Sequence, residues 1–294
     1  VYELKRDIET CFKGVHVRTN EDGLRAPMSF AREKPADVFR IVLLGDSQAF
    51  GWGVRFEDTV GEALRALLEQ ASDRRVEVIN TGVPGYNAAQ EAAHLAAYGI
   101  HYQPDCVLVL FIGNDLELPR LLLNPRPASG SKGWHLVHAL RGLRSFFEPP
   151  AREPPWYRMS EDFSPDQVPA EYQQMVGLGG YRRALQSIAD TARPSGAAVV
   201  NFADYPRDLE AAGLSEFQAS LGIEHQDFDF PWKLEYWLSQ QDQHLNAAGN
   251  LELARRIAAA LMTHPECHPL GGVGATPVES GRRRSAPAGG DRPR

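Results

Sequence analysis

The chain has 294 residues, 43% hydrophobic and 23% charged, enough to bury a sizeable core in one large or two modest domains. A net charge of −7 argues against a nucleic-acid binder, whose phosphate contacts need a basic face, and against docking on an anionic membrane. Three cysteines, Cys11, Cys106 and Cys267, are too few and too scattered for a disulfide framework or a zinc site, and they leave the redox compartment open.

Residues 1–37 read as an N-terminal extension packed on the domain. The turn-forming cluster Arg18-Thr19-Asn20-Glu21-Asp22-Gly23-Leu24-Arg25 predicts a strand or hairpin laid along it rather than a site. The domain proper is expected over 38–264. Phe39 to Leu44 predicts its first strand, and Glu57 to Gln70 a helix with Leu64, Leu67 and Leu68 on one face. Val76 to Ile79 predicts a short strand and Ala88 to Tyr98 an alanine-rich helix. Asp105 to Ile112 is apolar without interruption, as a strand buried on both faces should be, and Cys106 within it reads as a buried core thiol. That run is too short to span a bilayer. No signal peptide is visible; the chain begins at Val1 rather than Met, so an upstream segment, and with it a membrane tether or an extracytoplasmic location, stays open.

Residues 117–180 are too many for an ordinary loop and predict an insertion near the active site. Trp134, Phe146, Phe147, Trp156 and Tyr157 would make it a stacking wall for sugars, a cover for acyl chains or a scaffold extension. Tyr181 to Ala192 predicts a helix, Ala197 to Phe202 a strand, and Asn246 to about Thr263 a last helix with Leu253, Ile257 and Leu261 on one face. Residues 265–294, rich in Gly, Pro, Ser and Arg, predict a disordered tail in which Arg282-Arg283-Arg284 is a solvated cluster. Strands alternating with helices predict an α/β fold: one three-layer domain with a mostly parallel central sheet and helices on both faces.

Open parallel sheets bind ligands outside the carboxyl ends of their strands. Three chemically suggestive blocks fall there: Gly45-Asp46-Ser47, Asn80-Thr81-Gly82-Val83-Pro84-Gly85-Tyr86-Asn87, and Gly113-Asn114-Asp115. The fourth, Asp242-Gln243-His244-Leu245-Asn246, precedes the last helix. A serine hydroxyl attacks an ester only when a base takes its proton and donors receive the oxyanion. Ser47 would be the nucleophile, on a turn flanked by Gly45, Gly51 and Gly53. Asp46 reads as a hydrogen-bond anchor for that turn. Among nine histidines, only His244 has a nearby acid and a helix cap beside it. Asp242 would orient it, with Asp227 and Asp229 as alternatives, and Asn246 reads as the cap. Asn114 offers a neutral side-chain donor.

In these four blocks, in this order, the chain resembles the SGNH (GDSL-type) hydrolase superfamily, over roughly Arg40 to Met262. The resemblance implies a flavodoxin-like fold, a Ser47-His244-Asp242 triad, and an oxyanion hole of Ser47, Gly85 and Asn114. Gly85 is preferred to Gly82 because the family's glycine follows the short loop after the strand. Two positions depart from the commoner pattern. Gln48 replaces an apolar residue, which should touch the pocket wall, and the acid lies two residues before the histidine rather than three, as in some bacterial branches. Residues 1–37 look like the leader of some bacterial members.

The readings that follow are a serine esterase releasing small acyl groups, an O-acyltransferase using the same residues, and a non-catalytic carbohydrate-binding module. Acetylated carbohydrate is the first substrate class expected and a short-chain lipid ester the second. No zincin, phosphate-loop or dinucleotide fingerprint occurs, so neither metal nor organic cofactor is expected. The oligomeric state stays open.

Overall fold

The computed structural model describes residues 2–72, 74–119, 168–205, 210, 212–265 and 267–269. Trp134, Phe146, Phe147, Trp156 and Tyr157 of the predicted insertion and most of the predicted tail lie outside them. The N-terminal extension forms a two-stranded antiparallel hairpin, β1 (Glu9–Phe12) and β2 (Val15–Arg18). The central sheet has strands β3 (Val38–Leu44), β4 (Arg75–Asn80), β5 (Cys106–Leu110), β6 (Ala198–Phe202) and β7 (Ile223–Gln226), all parallel, in the order β4-β3-β5-β6-β7. This is the flavodoxin-like order, in which the chain switches direction between β3 and β5 and opens a crevice at their carboxyl ends.

Helices α1 (Ser47–Phe50), α2 (Val60–Ser72), α3 (Ala88–Ala97), α4 (Gly177–Ala192), α5 (Leu214–Leu221) and α6 (Ala247–Leu261) complete the described layers. Strand residues alternate between two cores. Phe39, Ile41, Leu43, Leu108 and Leu110 meet Leu64 and Leu68 of α2 and Leu253 and Ile257 of α6. Val42, Leu44, Val107 and Val109 meet Leu95 of α3 and Leu185 and Ile188 of α4. Because both faces are covered, the central strands read as apolar runs rather than as alternating ones. Arg40 is the charged exception in β3. Its fully buried guanidinium donates to Glu77, its register partner on β4, at 2.9 and 2.6 Å and to the Tyr102 carbonyl at 2.6 Å.

The structure shifts several predicted boundaries. Helix α2 begins at Val60 because Phe56–Asp58 form a separate 3₁₀ turn and the Thr59 hydroxyl accepts from Glu62 N. Strand β5 ends at Leu110 because the Asp115 carboxylate takes the Ile112 N–H at 2.7 Å. Helix α4 starts four residues before the predicted Tyr181; a Cβ at Gly180 would stand 2.6 Å from the Met175 carbonyl carbon, so glycine lets this turn close. Among the described residues no helix is long and apolar enough to cross a membrane.

The cysteine reading needs correction. Cys106 is buried, but it is bonded to Cys267 across 161 residues of chain, leaving Cys11 as the free, exposed cysteine. Cys106 opens β5 on the face that α6 covers, and α6 ends at that same amino edge of the sheet. The chain leaving it therefore delivers Cys267 to within a Cα–Cα distance of 5.4 Å.

Candidate active site

The turn that carries Ser47 is held by its own contacts. Asp46 caps α1, accepting from the Gln48 N–H at 2.8 Å, and the short helix places Ser47 just past the carboxyl end of β3. A Cβ on Gly45 would lie 2.6 Å from that of Ala49, so only glycine allows the strand to enter the helix this closely. At the other end of α1, the buried Arg25 guanidinium donates to the carbonyls of Phe50, Gly51 and Val54. Burial lowers its pKa to about 10, partly countered by Glu57. The N-terminal extension thus satisfies carbonyls that a one-turn helix leaves open.

The other predicted residues converge on Ser47. His244 Nε2 lies 2.8 Å from Ser47 Oγ, and His244 Nδ1 lies 2.6 Å from Asp242 Oδ1. A carboxylate at Nδ1 keeps the proton there, which leaves the Nε2 lone pair facing the serine hydroxyl. Half-burial alone would raise the Asp242 carboxyl; the hydrogen bond and charge of His244, helped by Lys13, outweigh it and hold the group well below the usual carboxylate range. The competing acids are elsewhere. Asp227 sits 3.2 Å from His225, whose ring nitrogens also meet Ser215 and the Ala203 carbonyl, and the Asp229 side chain is fully exposed.

Asn114 stands on the 3₁₀ turn Gly113–Leu116 that follows β5, and its Nδ2 donates to Asp46 Oδ2 at 2.9 Å. A primary amide carries two N–H groups, so one remains for a ligand. Gly82 is unsuited to the oxyanion role, because its N–H already donates to Asn80 Oδ1 at 2.9 Å. Gly85 occupies the same edge with φ +77, a conformation that favours glycine. The Val83 N–H donates to the Gly45 carbonyl at 3.2 Å and ties this turn to the one that carries Ser47.

Several contributors have no sequence signal of their own. Gln48 is buried, and its Oε1 accepts from Leu245 N at 3.2 Å, joining the serine turn to the histidine segment. Asn246 caps α6 as expected, accepting from Gly249 N at 3.0 Å. Behind Asn114, Asp115 and Glu91 are both buried carboxyls. Burial raises both pKa values, reinforced for each by the Asp46 charge and for Asp115 also by Glu91, so the pair retains a proton. Glu91 stands on α3 four residues after the second block and Asp115 ends the third, and only the fold makes neighbours of them.

A cavity of about 480 Å³ lined by Lys34, Phe39, Arg74, Ile100, Asp105 and His268 opens at the amino end of the sheet. It is far from the chemistry, since Phe39 and Asp105 mark the starts of strands whose ends carry Ser47 and Asn114. Among the described residues no three His, Cys, Asp or Glu side chains are grouped to hold a metal ion.

No protein-family model and no curated protein matches the chain. Among solved structures it is similar to TesA, at 18% identity over 76% of this chain and 97% of that one, with a TM-score of 0.48. It is similar also to a family 3 carbohydrate esterase of Clostridium thermocellum, at 15% identity over 76% and 98% of the two chains and a TM-score of 0.47. A lipase/acylhydrolase from Enterococcus faecalis gives 14% identity, coverage of 76% and 95%, and a TM-score of 0.47. Likeness at this level carries no residue assignment. In its strand order, and in four sequence blocks gathered about one sheet edge, the chain resembles the SGNH (GDSL-type) hydrolase superfamily.

Proposed function

We propose that the chain is a serine ester hydrolase that releases small acyl groups through an acyl-enzyme, with acetylated carbohydrate as the first substrate class to test. The run of contacts from Ser47 Oγ to His244 Nε2 at 2.8 Å and from His244 Nδ1 to Asp242 at 2.6 Å carries this reading. Ser47 Oγ attacks the ester carbonyl carbon while His244 Nε2 takes its proton. The carbonyl π electrons move to oxygen, where the second Asn114 N–H and the backbone N–H groups of Ser47 and Gly85 receive the charge. Collapse expels the alcohol, which leaves with the proton from His244. Water then repeats the sequence on the acyl-enzyme, releasing the acid and restoring Ser47. Asp242 stays ionised throughout and stabilises the imidazolium.

Turnover of p-nitrophenyl acetate by wild type and Ser47→Ala tests the reading. The variant should keep its fold and lose on the order of 10⁴–10⁶ in rate. Retention of a tenth of the activity removes Ser47 from the nucleophile role. On an acetylated glycan the expected product is free acetate; acetyl moved to an added hydroxyl acceptor would reassign the chain to acyl transfer.

A further inference from the structure

The Asp242 carboxylate has four donors, and they divide by oxygen. Oδ1 takes His244 Nδ1 at 2.6 Å and His244 N at 3.3 Å. Oδ2 takes Trp52 Nε1 at 3.2 Å and Lys13 Nζ at 3.2 Å. The Trp52 ring also stacks on the His244 imidazole, with centroids 5.0 Å apart and planes 18° from parallel. Two residues of the N-terminal hairpin brace that indole: Phe12 packs edge-on at 4.7 Å, and the Lys13 ammonium lies 5.3 Å from the ring centroid.

The hairpin tip is built at a cost. Phe12 pairs with Val15, so Lys13 and Gly14 form a two-residue turn, with φ +53 and +81. Such a turn needs positive φ at both positions and favours Asn-Gly; a lysine there is strained. A strained residue whose side chain reaches the acid of a triad points to a role beyond closing the turn.

We propose that Lys13 is a positioning residue for the triad: with the Trp52 indole N–H it pins Asp242 Oδ2, so that Oδ1 stays committed to His244. This rests on the hydrolase reading above, and it makes the N-terminal hairpin part of the catalytic apparatus. With a two-residue Asp-x-His spacing, Oδ1 reaches the ring while Oδ2 is left to Trp52 and Lys13. Without donors there, the carboxylate can turn and exchange its oxygens, and the imidazole loses its fixed tilt.

The decisive variant is Lys13→Asn, which relieves the turn while deleting the ammonium. Its Tm should equal or exceed that of wild type, while kcat on p-nitrophenyl acetate falls about threefold to fivefold with little change in KM. Lys13→Arg should restore most of the loss. At about 1 M salt, where screening shortens to about 3 Å, wild type and Lys13→Asn should converge, because Lys13 is half-exposed. Trp52→Phe keeps a ring over His244 but removes the indole N–H, and should cost about tenfold in kcat. The imidazole Nδ1 proton, observed as a downfield proton resonance, should shift or broaden in Lys13→Asn whether or not any ester is turned over. An unchanged resonance overturns the proposal, as does an unchanged kcat at low salt in an enzyme whose turnover depends on Ser47. So does a loss that follows a lowered Tm and is not restored by Lys13→Arg. Absence of Ser47-dependent turnover in wild type would sink the hydrolase reading instead, and the resonance would still decide this one.

Discussion

The two edges of the central sheet are made by the same strands and handle polar groups in opposite ways. At the amino edge the polar groups are matched. Arg40 is matched by Glu77 and a carbonyl, Asp105 takes the Arg40 N–H at 2.8 Å as well as Lys34, and Cys106 is closed by Cys267. At the carboxyl edge the groups compete. One Ser47 proton faces two acceptors, His244 at 2.8 Å and Asp46 at 3.1 Å, while Asp115 and Glu91 are buried beside a further carboxylate. A buried charge with complete partners holds a fold together, whereas a buried acid without a cation raises its own energy unless it keeps a proton. One end of this sheet is a fastening, and the other is an arrangement that stability alone would not select.

The contrast is broken most severely at the carboxyl edge. Asp242→Asn should keep the shape but favour the wrong imidazole tautomer, lowering kcat by about 10⁴. Asp227→Asn and Asp229→Asn should be nearly silent in the same ester assay, and a severe effect at either would move the acid upstream. Asn114→Ala should lower kcat by roughly 10²–10³ with KM little changed, because the amide is asked to meet charge that develops late. A raised KM with unchanged kcat would reduce Asn114 to a substrate contact.

At the amino edge the expected signs reverse. Replacing Cys106 and Cys267 together by Ala should cost about 2–5 kcal/mol of stability, read by denaturant unfolding, with kcat unchanged well below Tm. A tenfold drop in kcat under those conditions would show that the edges are not independent. The mildest test concerns Glu91. Its carboxyl is raised by burial first and by Asp46 second, so the folded chain holds a proton that the unfolded chain releases. That contribution is complete below the ordinary carboxylate range and is lost as pH rises through the raised value. Wild-type Tm should therefore fall as pH increases above that range, by about 2–4 °C for each 1 kcal/mol lost. Glu91→Gln, neutral at all pH, should flatten the fall; equal slopes would mean Glu91 is ionised in the fold.

Legibility followed the same division. Ser47, Asn114, Asp242 and His244 stand out in the sequence because chemistry at strand ends demands particular residue types at particular turns, and the structure brings all four together. Strands β3 to β6 were legible, β5 from its uninterrupted apolar run, whereas β7, Ile223–Gln226, has a single apolar residue and no such run. What sequence reasoning missed depends on contacts made across the chain. Arg25 meets Phe50 and Lys13 meets Asp242, while Gln48 reaches Leu245 and Cys106 is bonded to Cys267. None of these pairs has a local pattern, because each forms only once the sheet order has folded distant segments onto one another. Helix α5 was not predicted, although Leu214, Phe217 and Leu221 stand at helical spacing against the core; at eight residues its stripe is short.

The bond between Cys106 and Cys267 makes a closed loop of the chain between them. Asn114 and His244 lie on that loop, and Ser47 precedes it. A protease that cuts once anywhere between the two cysteines therefore yields two pieces that remain a single molecule, separable on a gel only after reduction. A cut before His244 would put the serine on one piece and the histidine on the other, joined only through sulfur.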